Sequence, residues 1–338
     1  MDSMDENCFN VSTWVNATTL GTLKQGSRAT FTVVNLALAL LMCGGNGLFI
    51  FVFLTQRRLQ TTATFFLFHL AVADLLVGVA LVYFVPFMWV GWMSQNPGLC
   101  LLRHSLFFLS LIASILCLLL VSVERLVAIQ KPIKRRFIFS KPRLRLSAAV
   151  IWSVSFLIGF IAPMLFQRPC VQVLCEVLFD LRFEYNGYIF LPFFFAMGIA
   201  LVTIQVAICV ELHHKMAQSR MLASPARSEH QEMLSSKIFK TVGIIVIVFL
   251  ACWIPFLVNT AMIVYADQTI LVDPGQYYKP KYVWSNILGL LNSGMNVFIY
   301  AISMPKFRVA IKLLCCKRKK GSSSTDHQMG RPSISSLR

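Results

Sequence analysis

The stretch CLLRHSLFFLSLIASILCLLLVSVERLVAIQK, residues 100–131, decides the interpretation of the whole chain. It carries no formal charge from Leu106 to Val123, and it then reaches Glu124 and Arg125. At about 1.5 Å rise per residue, this apolar run comes close to the ~30 Å hydrocarbon thickness of a bilayer. The segment is therefore predicted to be a membrane-spanning helix with an ion pair at one end, although the pair alone is equally typical of a solvated helix end.

The composition is that of a protein that crosses the membrane several times. Of the 338 residues, 57% are hydrophobic and only 13% are charged, and the mean hydropathy is +0.69. These values are too apolar for a soluble domain. The net charge of +17 would suit nucleic acid, but 24 of the 31 Lys and Arg residues fall on one side of the predicted topology. The positive-inside rule accounts for that asymmetry without a nucleic-acid partner.

Seven apolar runs are each long enough to span a bilayer. They are roughly Phe31–Leu54, Phe65–Val90, Leu101–Ile129, Leu146–Phe166, Tyr185–Val210, Ile238–Tyr265 and Tyr282–Met304. The basic residues concentrate in the C-terminal tail and in the predicted loops Thr55–Thr64, Gln130–Arg145 and Glu211–Lys237. The prediction is an all-α membrane protein, a seven-transmembrane helix bundle over residues 30–304. It lies in the plasma membrane with its N-terminus extracellular and its C-terminus cytoplasmic.

The two ends of the chain carry candidate modification sites. Residues 1–29 are predicted to be an extracellular tail without a signal peptide, glycosylated at Asn10 and Asn16. Residues 305–316 carry apolar side chains at helical spacing with basic residues between them, which predicts a short amphipathic eighth helix on the membrane lipids. Cys315 and Cys316 at its end are candidate palmitoylation sites; two unmodified thiols are the alternative. Residues 317–338 are predicted to be a disordered cytoplasmic tail, whose serines are either kinase sites or ordinary solvated side chains.

One acidic residue lies in the middle of the second apolar run. Polar residues at similar depth in other runs would surround the Asp74 carboxylate with neutral oxygens, and this suits a small hard cation such as Na⁺. The alternative is a protonated Asp74 in a packing network. The candidate ligands are Asp74, Asn46, Ser114, Asn292 and Asn296.

Two further ionisable positions are informative. Glu124 can hold Arg125 at the cytoplasmic end of the third helix until another helix moves, which describes a two-state element and not a catalytic one. Glu184, near the outer end of the fifth run, either faces a ligand cavity or lies in the headgroup layer.

The chain resembles the rhodopsin-like (class A) G-protein-coupled receptors over nearly its whole length. The matching pieces, in order, are Gly45-Asn46, Leu70–Asp74, Cys100, Glu124–Leu126, Trp152, Pro192, Cys252–Pro255 and Asn296–Tyr300. The resemblance implies a receptor that binds an extracellular small-molecule ligand and activates a heterotrimeric G protein. It also implies arrestin and receptor kinases as partners, and it does not describe an enzyme.

The resemblance assigns roles to individual residues. Asp74 and its four polar neighbours match the family's pocket for allosteric Na⁺, and no other cofactor is expected. Trp253 matches the toggle residue, with Phe249, Pro192 and Ile115 as the connector that couples ligand to helix movement. The resemblance assigns G-protein coupling and activation to Glu124, Arg125, Asn296 and Tyr300. Cys100 is expected to form a disulfide with Cys170 or Cys175, and the remaining cysteine could pair with Cys8.

Some positions depart from the family pattern. Glu-Arg-Leu stands where Asp-Arg-Tyr is usual, and Val297 replaces a proline. Ala200 stands where a tyrosine often holds the active state, and Ser235 stands where some members have an acid that locks the arginine. A weakly held inactive state, and hence constitutive activity, is the resulting expectation.

The ligand is predicted from the residues around the outer half of the third helix. Phe107 stands where aminergic relatives carry an aspartate, so an apolar, aromatic cavity is expected. The fourth helix resembles that of the adenosine and lipid-amide receptor branch. We therefore expect a lipid-like ligand and modulation of cyclic AMP. An amine- or nucleoside-sensing receptor is the alternative, and a transporter or channel is a distant one. The predicted pocket residues are Phe107, Phe108, Leu111, Glu184, Tyr188, Phe256, Leu257, Thr260 and Asn286.

Overall fold

The structure, a computed structural model, describes residues 25–94, 96–167, 181, 183–222, 225–265, 274–304 and 307–312. Most of these residues belong to seven long helices. They are α1 (Gln25–Thr55), α2 (Thr62–Phe84), α3 (Pro97–Gln130), α4 (Lys141–Ser155, continued by the π-helical turn Phe156–Ile161 and by Ala162–Leu165), α5 (the π-helical segment Glu184–Phe190 and then Leu191–Leu222), α6 (Pro225–Tyr265) and α7 (Pro274–Ser303).

The predicted seven-transmembrane all-α fold is confirmed. Over the described residues, α1 to α6 each contain a stretch long and apolar enough to cross a membrane. The seventh helix, α7, covers the last predicted apolar run and packs along α6 and α1. Each of the seven predicted runs therefore has its own helix.

The third helix is the centre of the bundle, because it contacts α2, α4, α5 and α6. Its first turn is defined by the sequence just before the apolar run. Asn96 accepts a hydrogen bond at Oδ1 from the backbone N–H of Leu99 over 3.1 Å, and Pro97 occupies the first helical turn. Both are residues that helix N-termini favour.

A glycine lets α4 lie directly against α3. A Cβ atom added to Gly159 would come within 2.5 Å of the Leu109 backbone, closer than such contacts can be. The position therefore admits no side chain, and the backbones of the two helices touch there.

The segment Glu211–Lys237, which was predicted to be a loop, is mostly helical. The fifth helix continues to Leu222 and the sixth begins at Pro225, so nearly all of this stretch is helical. Hydropathy marks where the membrane ends, whereas the helix continues because Glu, Lys, Met, Gln, Arg and Ala are good helix formers in water. Only residues 223 and 224 between the two helices lie outside the described chain.

A further helical stretch, residues 307–312, follows α7. Phe307 is buried against Phe49 with ring centroids 5.4 Å apart, while Arg308 and Lys312 are exposed. This agrees with an amphipathic eighth helix as far as residue 312. Cys315 and Cys316 lie outside the described residues.

Candidate functional site

The buried acid of the second helix lies where three helices meet. Asp74 is fully buried. Ser114 on α3 donates a hydrogen bond from Oγ to Asp74 Oδ1 over 3.2 Å, and Asn296 on α7 donates from Nδ2 to Asp74 Oδ2 over 2.7 Å. Residues that are far apart in the sequence therefore converge on one carboxylate.

The other two residues of this predicted set are also buried nearby. Asn46 on α1 donates from Nδ2 to the backbone carbonyl of Ser293 over 3.1 Å. Among the described residues, the side-chain oxygens of Asn46, Asn292 and Asn296 have no hydrogen-bond partner. Buried polar atoms without a partner cost free energy. A carboxylate surrounded by such oxygens is a donor set that fits a small hard cation such as Na⁺.

A small cavity lies between this polar set and the outer half of the bundle. It has a volume of about 10 Å³, enough for about one water molecule. It is lined by residues of the Asp74 network and by residues of the predicted ligand pocket, so the cavity adjoins both. The lining residues are Val77, Phe107, Leu111, Ser114, Trp253, Asn292 and Ser293.

The predicted toggle residue, Trp253, lies in a cluster of aromatic rings. Its ring centroid is 5.6 Å from that of Phe256, 6.2 Å from that of Phe107 and 6.2 Å from that of Phe194. On the α7 side, a Cβ atom added to Gly289 would come within 2.7 Å of the indole ring. The ring is therefore enclosed by α3, α5, α6 and α7, and it cannot rotate without moving a neighbour.

Most of the predicted pocket residues lie together. Phe108, Leu111, Phe256 and Leu257 belong to the main hydrophobic core, and Phe107 packs against it. Two polar residues of the predicted pocket lie toward the outer ends of α6 and α7. Thr260 is buried and Asn286 is partly buried, and within the described chain the Oγ1 of Thr260 and the Oδ1 of Asn286 have no hydrogen-bond partner.

The structure does not bring Glu184 and Tyr188 into this cluster. Tyr188 is 69% exposed and packs edge-on against Phe183, and Glu184 is exposed as well. The side chains of this segment that turn inward are those of Tyr185, Asn186 and Phe190. Because the segment is π-helical, the spacing of an ordinary α-helix does not predict which side chains face the bundle.

Of the three predicted connector residues, two are buried in the bundle and one is exposed. Ile115 and Phe249 are buried in the core that contains Trp253, and Phe249 lies 6.4 Å from it between ring centroids. Pro192 is exposed. It lies two residues after the π-helical segment, which ends at Phe190, and its side chain does not take part in this core.

At the inner end of α3, the carboxylate of Glu124 is fully buried and has two basic neighbours. Arg135, in the loop before α4, donates from Nε to Glu124 Oε1 over 2.7 Å and makes a second, shorter contact through its guanidinium. Arg125 Nε lies 3.6 Å from Glu124 Oε2. The predicted neighbour pair is thus present, but the closer partner is Arg135, which the sequence reasoning missed.

The last predicted activation residue, Tyr300, is fully buried one helical turn after Asn296. Its ring packs on Phe49 with centroids 4.6 Å apart. Among the described residues, its hydroxyl has no hydrogen-bond partner. A buried hydroxyl of this kind is suited to gain a partner in another arrangement of the helices.

Several other cross-helix contacts were not anticipated. Tyr185 donates from its hydroxyl to the carbonyl of Ile158 over 3.1 Å, which ties α5 to α4. Gln205 donates from Nε2 to Ser122 Oγ over 3.1 Å. Lys215 donates to the backbone carbonyl of Ile129. The sequence feature that could have indicated these contacts is a polar side chain within or next to an apolar run.

Some predicted sites lie outside the described residues. These are Asn10, Asn16, Cys8, Cys170, Cys175, Cys315 and Cys316. Cys100 takes part in a disulfide bond, and the choice between Cys170 and Cys175 stays a prediction. In the part of the chain that the structure describes, no group of three or more His, Cys, Asp or Glu could hold a metal ion.

The fold and the site together define a class of protein. Seven membrane-spanning helices enclose a polar centre at Asp74, an aromatic cluster on one side of it and an ion pair at the inner end of α3. Residues 45–300 match the family described as 7 transmembrane receptor (rhodopsin family). The chain therefore belongs to the rhodopsin family of seven-transmembrane receptors, as its motifs indicated.

Individual relatives are similar over most of their length. Somatostatin receptor type 5 of Bos taurus is 26% identical over 317 residues, which cover 91% of this chain and 82% of that protein. The uracil nucleotide/cysteinyl leukotriene receptor of Homo sapiens is 29% identical over 313 residues, covering 87% and 78%. Adenosine receptor A2b of Gallus gallus is 26% identical over 321 residues, covering 85% and 90%.

Membership in the family confirms a multi-pass membrane receptor and not an enzyme. It implies an extracellular ligand and coupling to a G protein. The family also favours a receptor over the transporter or channel alternative.

Proposed function

We propose that this protein is a plasma-membrane receptor for a small, largely apolar, lipid-like extracellular ligand, and that it modulates cyclic AMP through a heterotrimeric G protein. The single observation that carries this proposal is the position of Trp253. Its ring belongs to the aromatic cluster and also lines the small cavity beside Asn292 and Ser293. A ligand that moves this ring therefore disturbs the polar centre directly.

The path from that centre to the inner end runs along two helices. Asn296 binds Asp74, and Tyr300 follows one turn further along α7. On α3, Ser114 binds the same carboxylate, and Arg125 follows about three turns later. A change at Asp74 thus acts on the two helices that carry the residues proposed for G-protein coupling, which include Glu124.

The composition of the pocket supports an apolar ligand with a few hydrogen-bonding groups. The rings of Phe107, Phe108 and Phe256 provide the apolar surface. The buried oxygens of Thr260 and Asn286 gain free energy if a ligand donates hydrogen bonds to them. A lipid amide or a similar amphiphile has both kinds of group.

A nucleoside is the second candidate ligand, because an adenosine receptor is among the relatives. Thr260, Gly289 and Leu290 stand where adenosine receptors place residues that bind purine and ribose. Gly289 packs on Trp253 and offers no side chain to a ribose. An amine anchored by Glu184 is the weaker alternative, since that side chain is exposed away from the aromatic cluster.

We further propose that Na⁺ binds at Asp74 and stabilises the inactive receptor. The support is the buried carboxylate and the unpartnered oxygens of Asn46, Asn292 and Asn296. A monovalent cation there would compensate a buried negative charge, which is costly without a counter-charge.

Constitutive activity is proposed on the geometry around Glu124. The 3.6 Å separation between Arg125 and Glu124 is long for a hydrogen bond, and Arg135 occupies the other carboxylate oxygen. Arg125 is therefore held loosely, and a fraction of the receptor can signal without ligand.

The remaining partners and modifications are proposals as well. The positive-inside rule places the N-terminus outside, where Asn10 and Asn16 would be glycosylated, and the tail inside. There Cys315 and Cys316 would be palmitoylated, and tail serines would be phosphorylated by receptor kinases for arrestin binding.

The test is cyclic AMP in cells that express the wild type, Arg125→Ala, or Arg57→Ala as an exposed basic control. We expect a basal cyclic AMP level that differs from untransfected cells and that only Arg125→Ala returns to the background. A lipid panel should then shift the signal, with Phe107→Ser reducing its potency. A response to nucleosides or amines in place of lipids would refute the ligand assignment. A basal cyclic AMP level equal to that of untransfected cells would refute constitutive activity.

A further inference from the structure

The first and seventh helices approach each other closely at two glycines. A Cβ atom added to Gly45 on α1 would come within 2.7 Å of Val297 Cγ2 and within 3.1 Å of the Val297 Cβ. A Cβ atom added to Gly294 on α7 would come within 2.8 Å of Leu41 Cδ2. Each helix therefore provides one apolar side chain and one glycine that accommodates the side chain of the other helix. We call Leu41, Gly45, Gly294 and Val297 the interlock.

The interlock extends over one turn of each helix and fixes their register. Its two residues on α1 are four positions apart and its two residues on α7 are three apart, and such pairs share one face of a helix. One turn further along both helices, Phe49 on α1 packs against Tyr300 on α7 with ring centroids 4.6 Å apart. If one helix slid along the other, a side chain would meet backbone at each of these layers. The close-packed pair of helices therefore has one favoured register.

The valine of the interlock cannot turn away from the glycine that it meets. A β-branched side chain has one strongly preferred rotamer in a helix, and rotation does not move the Val297 Cβ at all. Val297 also stands where the family pattern has a proline. Unlike proline, it has a backbone N–H, which in an α-helix bonds to the carbonyl four residues before it, that of Ser293. The helix α7 is accordingly α-helical from Pro274 to Ser303.

The interlock lies directly beside the polar centre of the bundle. The residue after its α1 glycine, Asn46, donates to the backbone carbonyl of Ser293 on α7 over 3.1 Å. The residue before its valine, Asn296, donates to Asp74 Oδ2 over 2.7 Å. The 3.1 Å bond is near the upper end of the usual range, so a separation of α1 from α7 by about 0.5 Å would break it. The spacing of the two helices thus decides whether these polar groups meet.

We propose that the interlock positions the polar centre, and that Gly45 and Val297 are positioning residues for the cation site at Asp74. They act through the spacing between α1 and α7, at which Asn46 and Asn296 reach their partners. The cation part of this inference rests on the proposed binding of Na⁺, whereas the part about spacing rests on the contacts alone. The consequence is that the middle of α7 is held by a contact with α1, at the position where the family pattern has a proline.

The first experiment compares melting temperatures of the full-length receptor in NaCl and in choline chloride at equal ionic strength. We expect Gly45→Ala to lower the melting temperature in both salts and to need about tenfold more NaCl for a given sodium-specific rise. Gly45→Ala/Val297→Ala should recover most of that rise, because the loss of two methyl groups makes room for the new Cβ. Gly47→Ala is the matched control and should behave as the wild type, since nothing lies within 4 Å of its added Cβ.

A double-mutant cycle tests the positioning role without Na⁺. In choline chloride, Gly45→Ala should lower the melting temperature of the wild type more than that of Asn296→Ala, because the second background has already lost the bond to Asp74. A role in packing alone would give equal losses, since the overlap with Val297 is the same in both backgrounds. If Asn296→Ala does not fold, Asn46→Ala serves as the second background, because it removes the other bond beside the interlock.

The proposal is overturned if Gly45→Ala keeps the full sodium-specific rise, or if Gly45→Ala/Val297→Ala does not recover it. Equal losses of melting temperature in the two backgrounds of the cycle would overturn it as well. A wild type that melts at the same temperature in both salts would refute the binding of Na⁺, and the cycle would then decide the positioning role alone. The two proposals therefore fail separately.

Discussion

Arg135 lies within hydrogen-bonding distance of Glu124, with Nε 2.7 Å from Oε1, whereas Arg125 Nε lies 3.6 Å from the other oxygen of the same carboxylate. The acid beside Arg125 is thus held mainly by the loop before α4. Because Glu124 is fully buried, its charge requires a close cation. The loop and the inner end of α3 are therefore coupled through one carboxylate.

The first prediction concerns the removal of that closer cation. Arg135→Ala should leave Glu124 to Arg125 alone, which tightens the Arg125–Glu124 pair and lowers basal signalling. It should also cost about 1–3 kcal/mol of stability, since a buried charged group loses a hydrogen bond. Melting temperature and basal nucleotide exchange are the measurements. Arg145→Ala, an exposed arginine at the start of α4, is the control, and equal behaviour of the two variants would contradict the coupling.

The second prediction concerns the contact between α5 and α3. Lys215 donates to the carbonyl of Ile129 in the last turn of α3, where a cation is favourable. Lys215→Met should loosen this end of the bundle and raise basal nucleotide exchange by about fivefold, which corresponds to about 1 kcal/mol. His214→Ala alters the exposed neighbouring residue and should have no effect. Unchanged exchange in Lys215→Met would show that the contact does not restrain the helices.

The third prediction uses the close approach of α4 and α3. Gly159→Ala places a methyl group 2.5 Å from the Leu109 backbone, which cannot move as a side-chain end can. The helices must separate, and we expect a loss of about 1–3 kcal/mol and a lower melting temperature. Gly198→Ala is the matched control, because nothing lies within 4 Å of its added Cβ. That variant should be neutral or slightly more stable. Equal melting temperatures would exclude the contact.

The fourth prediction tests Na⁺ at Asp74. The melting temperature of the wild type should rise with NaCl but not with choline chloride at equal ionic strength, because a ligand that binds the folded state stabilises it by mass action. Asp74→Asn keeps the shape of the side chain and removes its charge, so it should abolish the difference between the two salts. A difference that persists in Asp74→Asn would place the cation elsewhere.

Much of the fold followed from local properties of the sequence. Hydropathy and the distribution of Lys and Arg are sums over neighbouring residues, and they were sufficient for seven spans and for an interior position of Asp74. Family motifs identified Trp253, Asn296 and Arg125, which the structure places in the bundle core and at its inner end. Helix ends were less predictable, because polar helix formers carry α5 to Leu222, beyond its apolar run.

Only the tertiary structure decided which distant residues pair and in which direction the side chains of irregular helices point. Glu124 meets Arg135 because a short loop returns against α3, and no local pattern encodes that path. Tyr188 and Pro192 are exposed although their helix lines the bundle, because a π-helical segment shifts the facing residues. The sequence by itself determined which segments enter the membrane, since burial in lipid depends on local composition. The packing of the helices determined which polar groups meet inside it.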